Sequence, residues 1–250
     1  MKNNFFFNYQ IGNIYSKPSS VSEVSSQILY GEKFSIISKS KKWLKIKTNY
    51  DKYTGYIRKK KFTKNLKPTH KIYKLKTQIY KKLNNKFIST NQFLYFASKI
   101  EILTISGNFL KFEKNNWIKK KDVKKISHFE KNFVKLFKSF IKTKYLWGGK
   151  SCKGIDCSAL LQIFFYYNNI FFPRDTKDQI KYCKNINKIK YKSGDIIFWK
   201  GHVAICLDSK NLIHAYGPKK KVLIMPIIKT INKIRETAGL EVKKITKIKY

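Results

Sequence analysis

At 250 residues the chain has room for one large domain or for two to three small ones, and its 42% of hydrophobic residues exclude a disordered tail. Its 55 basic and 14 acidic residues give a formal net charge of +41, which attracts polyanions without specificity. Lysine supplies 52 of the basic residues, whereas specific recognition of bases and phosphates favours the arginine fork. We therefore predict no specific nucleic-acid partner and attribute the lysines to an AT-rich codon bias; nucleic-acid binding is the alternative.

The sequence contains only weak indications of an export signal, of a disulfide scaffold or of a metal site. The apolar run Phe5-Phe6-Phe7 is shorter than the roughly 7–15 residues of a secretory signal, and no run approaches the ~18 residues of a membrane span. The four cysteines form no Cys-x-x-Cys pair and no zinc spacing. We expect a cytoplasmic protein with no membrane partner and no disulfide scaffold; the sequence predicts no particular oligomeric state.

Two segments in the first half of the chain share a pattern. In each, short runs of alternating apolar and polar residues recur at similar spacings. The runs cover 34–37, 43–46 and 55–57 in the first segment and 100–103, 109–112 and 117–118 in the second. Turn residues such as Gly107-Asn108 separate them, which is typical of antiparallel strands. We predict two small β-barrels, 1–68 and 69–126, joined at Lys67-Pro68-Thr69; one larger β-sandwich is the alternative.

The pattern changes at Ser127, where Ser127-His128-Phe129-Glu130 has the form of a capping box. Phenylalanines at helical spacing then predict a helix to about Thr143. A glycine-rich loop leads to a second helix that begins near Cys157 and stops at Asn168-Asn169. Strands are predicted at 196–199, 203–207, 212–215 and 222–227. Helices followed by an antiparallel sheet make residues 127–250 an α+β domain.

Cys157 is the candidate nucleophile because it stands where a loop becomes a helix. Free backbone N–H groups and the helix dipole favour a thiolate there. We expect this setting and a histidine partner to lower the thiol pKa, and the same N–H groups to form an oxyanion hole. A buried structural cysteine is the alternative.

Two of the four histidines lie in matching apolar runs after the cysteine. His202 opens a predicted strand and is placed as a general base. His214 lies twelve residues later, a spacing that lets a hairpin return it beside His202 to orient the imidazole. Surface or structural histidines are the alternative, and a zinc site made of both histidines with Cys157 is a weaker one, since no pair has a short local spacing.

Several motifs, in chain order, together carry a family resemblance. They are Tyr145-Leu146-Trp147-Gly148-Gly149, Gly154-Ile155-Asp156-Cys157-Ser158, Pro173-Arg174-Asp175-Thr176 with Gln179, Gly194-Asp195-Ile196-Ile197-Phe198-Trp199, Gly201-His202-Val203-Ala204-Ile205 and Leu212-Ile213-His214-Ala215. This set resembles the NlpC-type (NlpC and p-sixty) cysteine peptidases of bacterial cell-wall peptides. The two predicted barrels resemble the bacterial SH3-like modules that precede the catalytic domain in cytoplasmic members, which are similar to γ-D-glutamyl-L-diamino-acid endopeptidases.

The resemblance implies a papain-like catalytic domain with Cys157 as nucleophile, His202 as base and His214 as the orienting residue. It implies no metal and no cofactor. One departure is Ala159, where the family usually has glycine after Asp-Cys-Ser. We expect activity to survive this methyl group, with an altered fit of the substrate.

The resemblance also implies substrate contacts. Tyr145 matches a substrate-contacting tyrosine, and Asp156 and Ser158 match the residues that flank the nucleophile. In the cytoplasmic members the first barrel and the aspartate before the nucleophile hold the free amino end of L-Ala. Glu23 and Tyr53 fall at matching points of this chain, with a solvated loop residue as the alternative for Glu23.

The resulting functional hypothesis is a cysteine endopeptidase that hydrolyses the γ-D-Glu–diamino acid bond of murein peptides in cell-wall peptide recycling. The expected partner is a murein-derived peptide, whose free carboxylates suit the lysine-rich surface. Another papain-like thiol amidase or acyltransferase is the enzymatic alternative. A catalytically silent module that binds the wall or polyanions is the non-enzymatic one.

Overall fold

The computed structural model of the chain describes residues 4–186 and 190–248. It divides into two compact units, Met1–Phe129 and Glu130–Tyr250. The outer ends of the first and third predicted domains, at residues 1–3 and 249–250, lie outside the described residues.

The first part of the N-terminal unit is built from short antiparallel strands. They are β1 (Asn4–Phe6), β2 (Ile11–Tyr15), β3 (Val24–Leu29), β4 (Lys33–Lys39), β5 (Trp43–Thr48) and β6 (Thr54–Arg58). Their order in the sheet is β1-β4-β5-β6-β2-β3. Because successive side chains of a strand point to opposite faces, the alternating runs place Ile14, Phe34, Leu44 and Ile46 together in one buried cluster.

The second part of this unit is also built from short antiparallel strands. They are β7 (His70–Ile72), β8 (Lys76–Leu83), β9 (Lys86–Tyr95), β10 (Lys99–Ile100), β11 (Thr104–Ser106), β12 (Phe109–Glu113), β13 (Asn116–Lys119) and β14 (Val123–Lys125), with a 3₁₀ turn at Lys120–Asp122. One sheet has the order β10-β7-β14 and another the order β11-β12-β13-β8-β9. The predicted strand-rich character of both segments is confirmed.

Tyr30 joins the two parts of the N-terminal unit. Although it directly follows β3, its ring packs in the core of the second part, edge-on to Phe112 at 5.7 Å between ring centres. Its hydroxyl donates to Glu113 Oε1 at 2.6 Å, and its carbonyl accepts from Lys99 N at 2.9 Å. The two segments therefore form one compact unit, and their division into two separate barrels stays a prediction.

The C-terminal unit combines helices with an antiparallel sheet, as the α+β prediction requires. Its elements are α1 (Phe133–Ser139), β15 (Lys150–Ser151), β16 (Gly154–Ile155), α2 (Cys157–Tyr167), α3 (Thr176–Tyr182), β17 (Asp195–Trp199), β18 (His202–Cys206), β19 (Asn211–Tyr216), a 3₁₀ turn (Gly217–Lys219), β20 (Lys221–Pro226), α4 (Ile227–Ala238) and β21 (Lys244–Lys247). The strands β17 to β21 are ordered β20-β19-β18-β17-β21. Helix α2 is buried along its whole length and packs against β18 and β19.

The predicted capping box at Ser127 is wrong. Helix α1 begins at Phe133, and its N-cap is Asn132, whose side chain accepts from Lys135 N at 2.9 Å. The backbone N–H of Glu130 instead donates to Asn168 Oδ1 at 2.8 Å. This long-range bond fixes Glu130 at the end of α2, so it cannot close a local helical turn.

Several elements of the C-terminal unit were not predicted, among them α3, α4, β21 and the short strands β15 and β16 in the glycine-rich loop. The segment of α3 reads as a polar connector, and α4 is amphipathic with only Ile227, Thr230 and Ile234 buried. Strand β21 pairs with β17 from the far end of the chain, a contact that local periodicity does not reveal. Among the described residues, no helix has the length and apolar character needed to cross a membrane.

Candidate active site

Asp156 and Cys157 mark the start of α2, as the loop-to-helix pattern predicts. Asp156 is the N-cap, with an extended backbone and a side chain that accepts from Ala159 N at 2.8 Å. This bond satisfies one of the free N–H groups of the first helical turn. Cys157 follows as the first residue of the helix, and its side chain is buried against the sheet.

The thiol of Cys157 lies against the turn that presents His202. Its Sγ is 4.0 Å from the carbonyl oxygen of Gly201 and also contacts the backbone N–H of Val203 and the side chain of Thr176. Gly201 has a φ of +74°, which favours glycine and lets the chain reverse between β17 and β18. The sulfur is therefore hydrogen-bonded to the backbone of Gly201 and of Val203, the residues on either side of the candidate base His202.

The predicted lowering of the thiol pKa is wrong in direction. Burial raises the pKa of Cys157 to about 11, and the negative charge of Asp156 raises it further. Hydrogen bonds from Val203, Thr176 and Ser158 lower the pKa by less. The desolvation of a buried thiolate thus outweighs the helix N-terminus, and the resting group is a neutral thiol.

The two histidines meet, as their twelve-residue spacing predicts. Strands β18 and β19 pair in register at Ile205 and Ile213, and His202 Nε2 lies 2.9 Å from His214 Nδ1. On its other side, His214 Nε2 lies 3.4 Å from the sulfur of Met225. The ring of His214 also stacks on Tyr216, with 4.6 Å between ring centres and 11° between planes.

Both imidazoles are neutral at physiological pH. Burial lowers the pKa of His202 to about 4, although the residue as a whole is only half-buried. Burial, and then the proximity of His202, lowers the pKa of His214 well below its usual value. A neutral imidazole is the form that accepts a proton, so His202 is in the protonation state that a general base needs.

Asp156 uses both carboxylate oxygens inside the protein. Oδ1 accepts from Ala159 N, from Ser158 Oγ at 3.1 Å and from Arg174 Nη1 at 3.0 Å. Oδ2 accepts from Gly148 N at 3.0 Å and from Arg174 Nη2 at 2.7 Å. Its charge and its acceptor positions are therefore already matched, which leaves little capacity for a substrate ammonium group.

Ser158 and Tyr145 also lie in this site. The buried Ser158 hydroxyl donates to Asp156 and accepts from Arg174 Nη1 at 2.9 Å, so its bonds are internal as well. Tyr145 is half-buried, and burial followed by the charges of Cys157 and Asp156 raises the pKa of its hydroxyl. Of the predicted substrate contacts, Tyr145 thus has the most accessible side chain beside the nucleophile.

Ala159 does not face the cleft. Its side chain is fully buried in the first turn of α2, so its methyl group packs into the domain and does not narrow the substrate path. The expected change in substrate fit therefore has no structural basis at this residue.

The structure places Glu23 and Tyr53 in the N-terminal unit. Glu23 is exposed just before β3, and its carbonyl accepts from Ser16 N at 2.9 Å. Tyr53 is half-buried, and its hydroxyl donates to the carbonyl of Ser25 at 3.2 Å. Both side chains therefore lie around the start of β3, and their role toward a substrate stays a prediction.

Sequence reasoning gave no role to the segment that carries Arg174, Thr176 and Gln179. The buried Gln179 amide donates to the carbonyls of Ser158 at 3.0 Å and Pro173 at 2.9 Å, which ties α3 to the first turn of α2. The motif around Arg174 was visible in the sequence, but nothing local indicated which distant groups it would contact. Met225 carried no signal at all.

The arrangement has the parts of an acyl-transfer site. A thiol lies against the turn that carries a neutral imidazole, that imidazole contacts a second one, and the N–H of Cys157 at the helix start is the candidate donor to an oxyanion. The N–H groups of Ser158 and Ala159 are already engaged, by the sulfur and by Asp156. Among the described residues, no group of three or more His, Cys, Asp or Glu side chains is arranged to hold a metal ion. None of the four cysteines, all of which lie among the described residues, forms a disulfide bond.

Comparison with known proteins agrees with this geometry. Residues 142–238 match the NlpC/P60 family, and residues 12–63 match the bacterial SH3 domain. A crystal structure of an NlpC/P60 family protein from Bacillus cereus covers 98% of this chain and 99% of its own, with a TM-score of 0.80 at 18% identity. That similarity shows that the two chains share a fold.

Similar sequences also align with most of the chain. The dipeptidyl-peptidase 6 of Lysinibacillus sphaericus is 25% identical over 233 residues, which are 82% of this chain and 84% of the relative. The γ-D-glutamyl-L-lysine dipeptidyl-peptidase of Bacillus subtilis is 24% identical over 234 residues, 83% of this chain and 77% of the relative.

Proposed function

We propose that the chain, whose residues 142–238 match the NlpC/P60 family, is a cysteine peptidase that hydrolyses the γ-D-Glu–diamino acid bond of peptides derived from peptidoglycan. The activity named for the Bacillus subtilis relative supports this choice of bond. The observation that carries the proposal is the series formed by the Cys157 thiol at the turn of His202 and the 2.9 Å contact between His202 and His214.

In the proposed reaction, Cys157 Sγ attacks the γ-carbonyl carbon while its proton passes to His202. Because the thiol and the imidazole are both neutral at rest, proton transfer accompanies the attack instead of preceding it. The protonated imidazole then donates to the leaving amine of the diamino acid. Water, deprotonated by His202, hydrolyses the thioester and releases the γ-glutamyl product.

His214 acts in this scheme as the group that orients His202. Its ring is buried and held between His202 and Met225, and Tyr216 stacks on its face. A fixed neighbour of this kind reduces the freedom of the base to turn away from the sulfur.

Recognition of the free amino end of the peptide is assigned to the N-terminal unit, with Glu23 and Tyr53 as the proposed groups. Asp156 is the weaker member of the predicted set, because its oxygens already accept from Arg174 and from backbone donors. Selection of a free amino end suits an enzyme of peptide recycling in the cytoplasm, and we propose that role and location together.

We further propose that residues 69–126 form a second SH3-like module. The support is the repeated spacing of strands, with β12 and β13 in the second segment at the positions that β5 and β6 hold in the first. The core of the second segment also consists of its own apolar residues, apart from Tyr30.

Isomeric peptides test the proposed bond. L-Ala-γ-D-Glu-L-Lys and its α-linked isomer have the same mass and charge, so they differ only in the position of the scissile carbonyl. We expect release of lysine from the γ-linked peptide and none from the α-linked one. Equal cleavage of both would instead indicate another papain-like amidase, and transfer of the acyl group to an added amine in preference to water would indicate an acyltransferase.

A further inference from the structure

The partner of His214 on the side away from His202 is a methionine. Met225 lies on β20, next to the strand that carries His214, and its sulfur is 3.4 Å from His214 Nε2. A thioether sulfur has lone pairs but no hydrogen, so it can only accept. The hydrogen of this contact must therefore belong to His214 Nε2.

This assignment determines the rest of the series. A neutral imidazole carries one hydrogen, so His214 with hydrogen on Nε2 has a bare Nδ1 that accepts. The contact at 2.9 Å then requires His202 to donate from Nε2. His202 is left with a bare Nδ1, which is the nitrogen that remains to take the proton of the thiol.

The opposite tautomers would disable the site. If His214 carried its hydrogen on Nδ1, it would donate to His202 Nε2, and the neutral His202 would then carry its own hydrogen on Nδ1. That nitrogen could not accept a proton from Cys157. The same change would set the bare Nε2 of His214 against the lone pairs of the Met225 sulfur, an unfavourable contact.

We infer that Met225 is a positioning residue which, through the sulfur contact with His214 Nε2, selects the tautomer of both histidines that leaves His202 Nδ1 free as the base. This inference rests on the catalytic roles in the proposed function, but the tautomers can be measured without any substrate. Met225 does not touch the reacting atoms and acts only through His214.

The test compares three variants in histidine-labelled protein. Met225→Leu keeps the volume and removes the acceptor, Met225→Gln restores an acceptor oxygen, and Ile224→Leu is a matched control on the exposed face of the same strand. Long-range ¹H–¹⁵N spectra distinguish protonated from bare ring nitrogens, and a His214→Asn variant assigns the signals. Iodoacetamide alkylation of Cys157, read by peptide mapping, reports proton removal by the base.

In wild type and in Ile224→Leu we expect hydrogen on Nε2 of both His202 and His214. Met225→Leu should show a mixture of tautomers and slow alkylation about two- to threefold, the low end of the range for one hydrogen bond, because a thioether sulfur is a weak acceptor. Met225→Gln should recover most of that loss. The inference is overturned if wild-type His214 carries its hydrogen on Nδ1, or if Met225→Leu changes neither the spectra nor the alkylation rate. If the wild type does not cleave the γ-linked peptide but gives the expected spectra, the proposed substrate is contradicted. The role of Met225 in selecting the tautomers is still supported.

Discussion

The guanidinium of Arg174 and the carboxylate of Asp156 face each other through two parallel hydrogen bonds, Nη1 to Oδ1 at 3.0 Å and Nη2 to Oδ2 at 2.7 Å. Both side chains are buried. Asp156 also caps α2 and accepts from Gly148 N, so this ion pair connects the 145–149 loop, the helix that begins at Cys157 and the segment that leads into α3.

Removing one member of a buried ion pair leaves the other as a buried charge without a partner. We expect Arg174→Met to lower the free energy of unfolding by about 3–5 kcal/mol, because Asp156 would keep a buried charge without its partner. Arg174→Lys should recover only part of this loss, since an ammonium group cannot make two parallel bonds. Urea titration followed by tryptophan fluorescence measures the change.

Arg235→Met is the control for that experiment. Arg235 is exposed on α4 and contacts Asn232 at 3.4 Å, so its loss should change the free energy of unfolding by no more than about 0.5 kcal/mol. Equal effects of the two substitutions would contradict the structural role assigned to Arg174.

The two histidines should differ in what they contribute. His202→Ala should reduce turnover by about 10²–10⁴-fold because it removes the proton acceptor. His214→Asn should leave a measurable remnant, because it removes only the neighbour that orients His202. Steady-state kinetics on the γ-linked peptide, with His128→Ala in the N-terminal unit as control, measures both. A larger loss from His214→Asn in folded protein would reverse the assigned roles.

The thiol should become more ionised with rising pH far beyond neutrality. Its pKa is raised to about 11 from the usual 9.0, so at pH 7 only about one thiol in ten thousand is ionised, and the ionised fraction increases with pH until that value is passed. The ultraviolet absorbance of the thiolate, taken as the difference between wild type and Cys157→Ala between pH 6 and pH 10, should therefore rise without a plateau. A plateau that begins below pH 7 would show a preformed thiolate and contradict the burial effect.

Local sequence patterns were sufficient for the elements that bring the reactive groups together. The change from glycine-rich loop to apolar run predicted the start of α2 at Cys157, and the spacing of His202 and His214 predicted a hairpin in which the two rings meet. Both features depend on residues close together in the chain, where periodicity is informative.

The properties that depend on distant residues were not predictable in the same way. Burial of Cys157 by the turn at Gly201 reversed the expected direction of its pKa shift, and the Asp156 carboxylate proved to be occupied by Arg174, eighteen residues away. The bond between Glu130 and Asn168 displaced the predicted start of α1. In each case the decisive partner is brought near only by the fold.

Selection of a free amino end should depend on Glu23. A charge-assisted bond to an ammonium group is worth ~1.5–3 kcal/mol, so Glu23→Gln should lower kcat/KM about ten- to a hundredfold for the free tripeptide and little for its N-acetylated form. Glu236→Gln on the exposed face of α4 is the control. Equal activity of the wild type on free and N-acetylated peptide would remove the basis for this role.

Mass spectrometry of L-Ala-γ-D-Glu-diamino acid peptides, incubated with wild type and with Cys157→Ala, tests the central claim most directly. Wild type should convert the tripeptide to L-Ala-D-Glu and free diamino acid, and Cys157→Ala should leave it intact while remaining folded. Cleavage that persists in Cys157→Ala, or wild-type products cut at any bond other than the γ-D-Glu–diamino acid bond, would contradict the account.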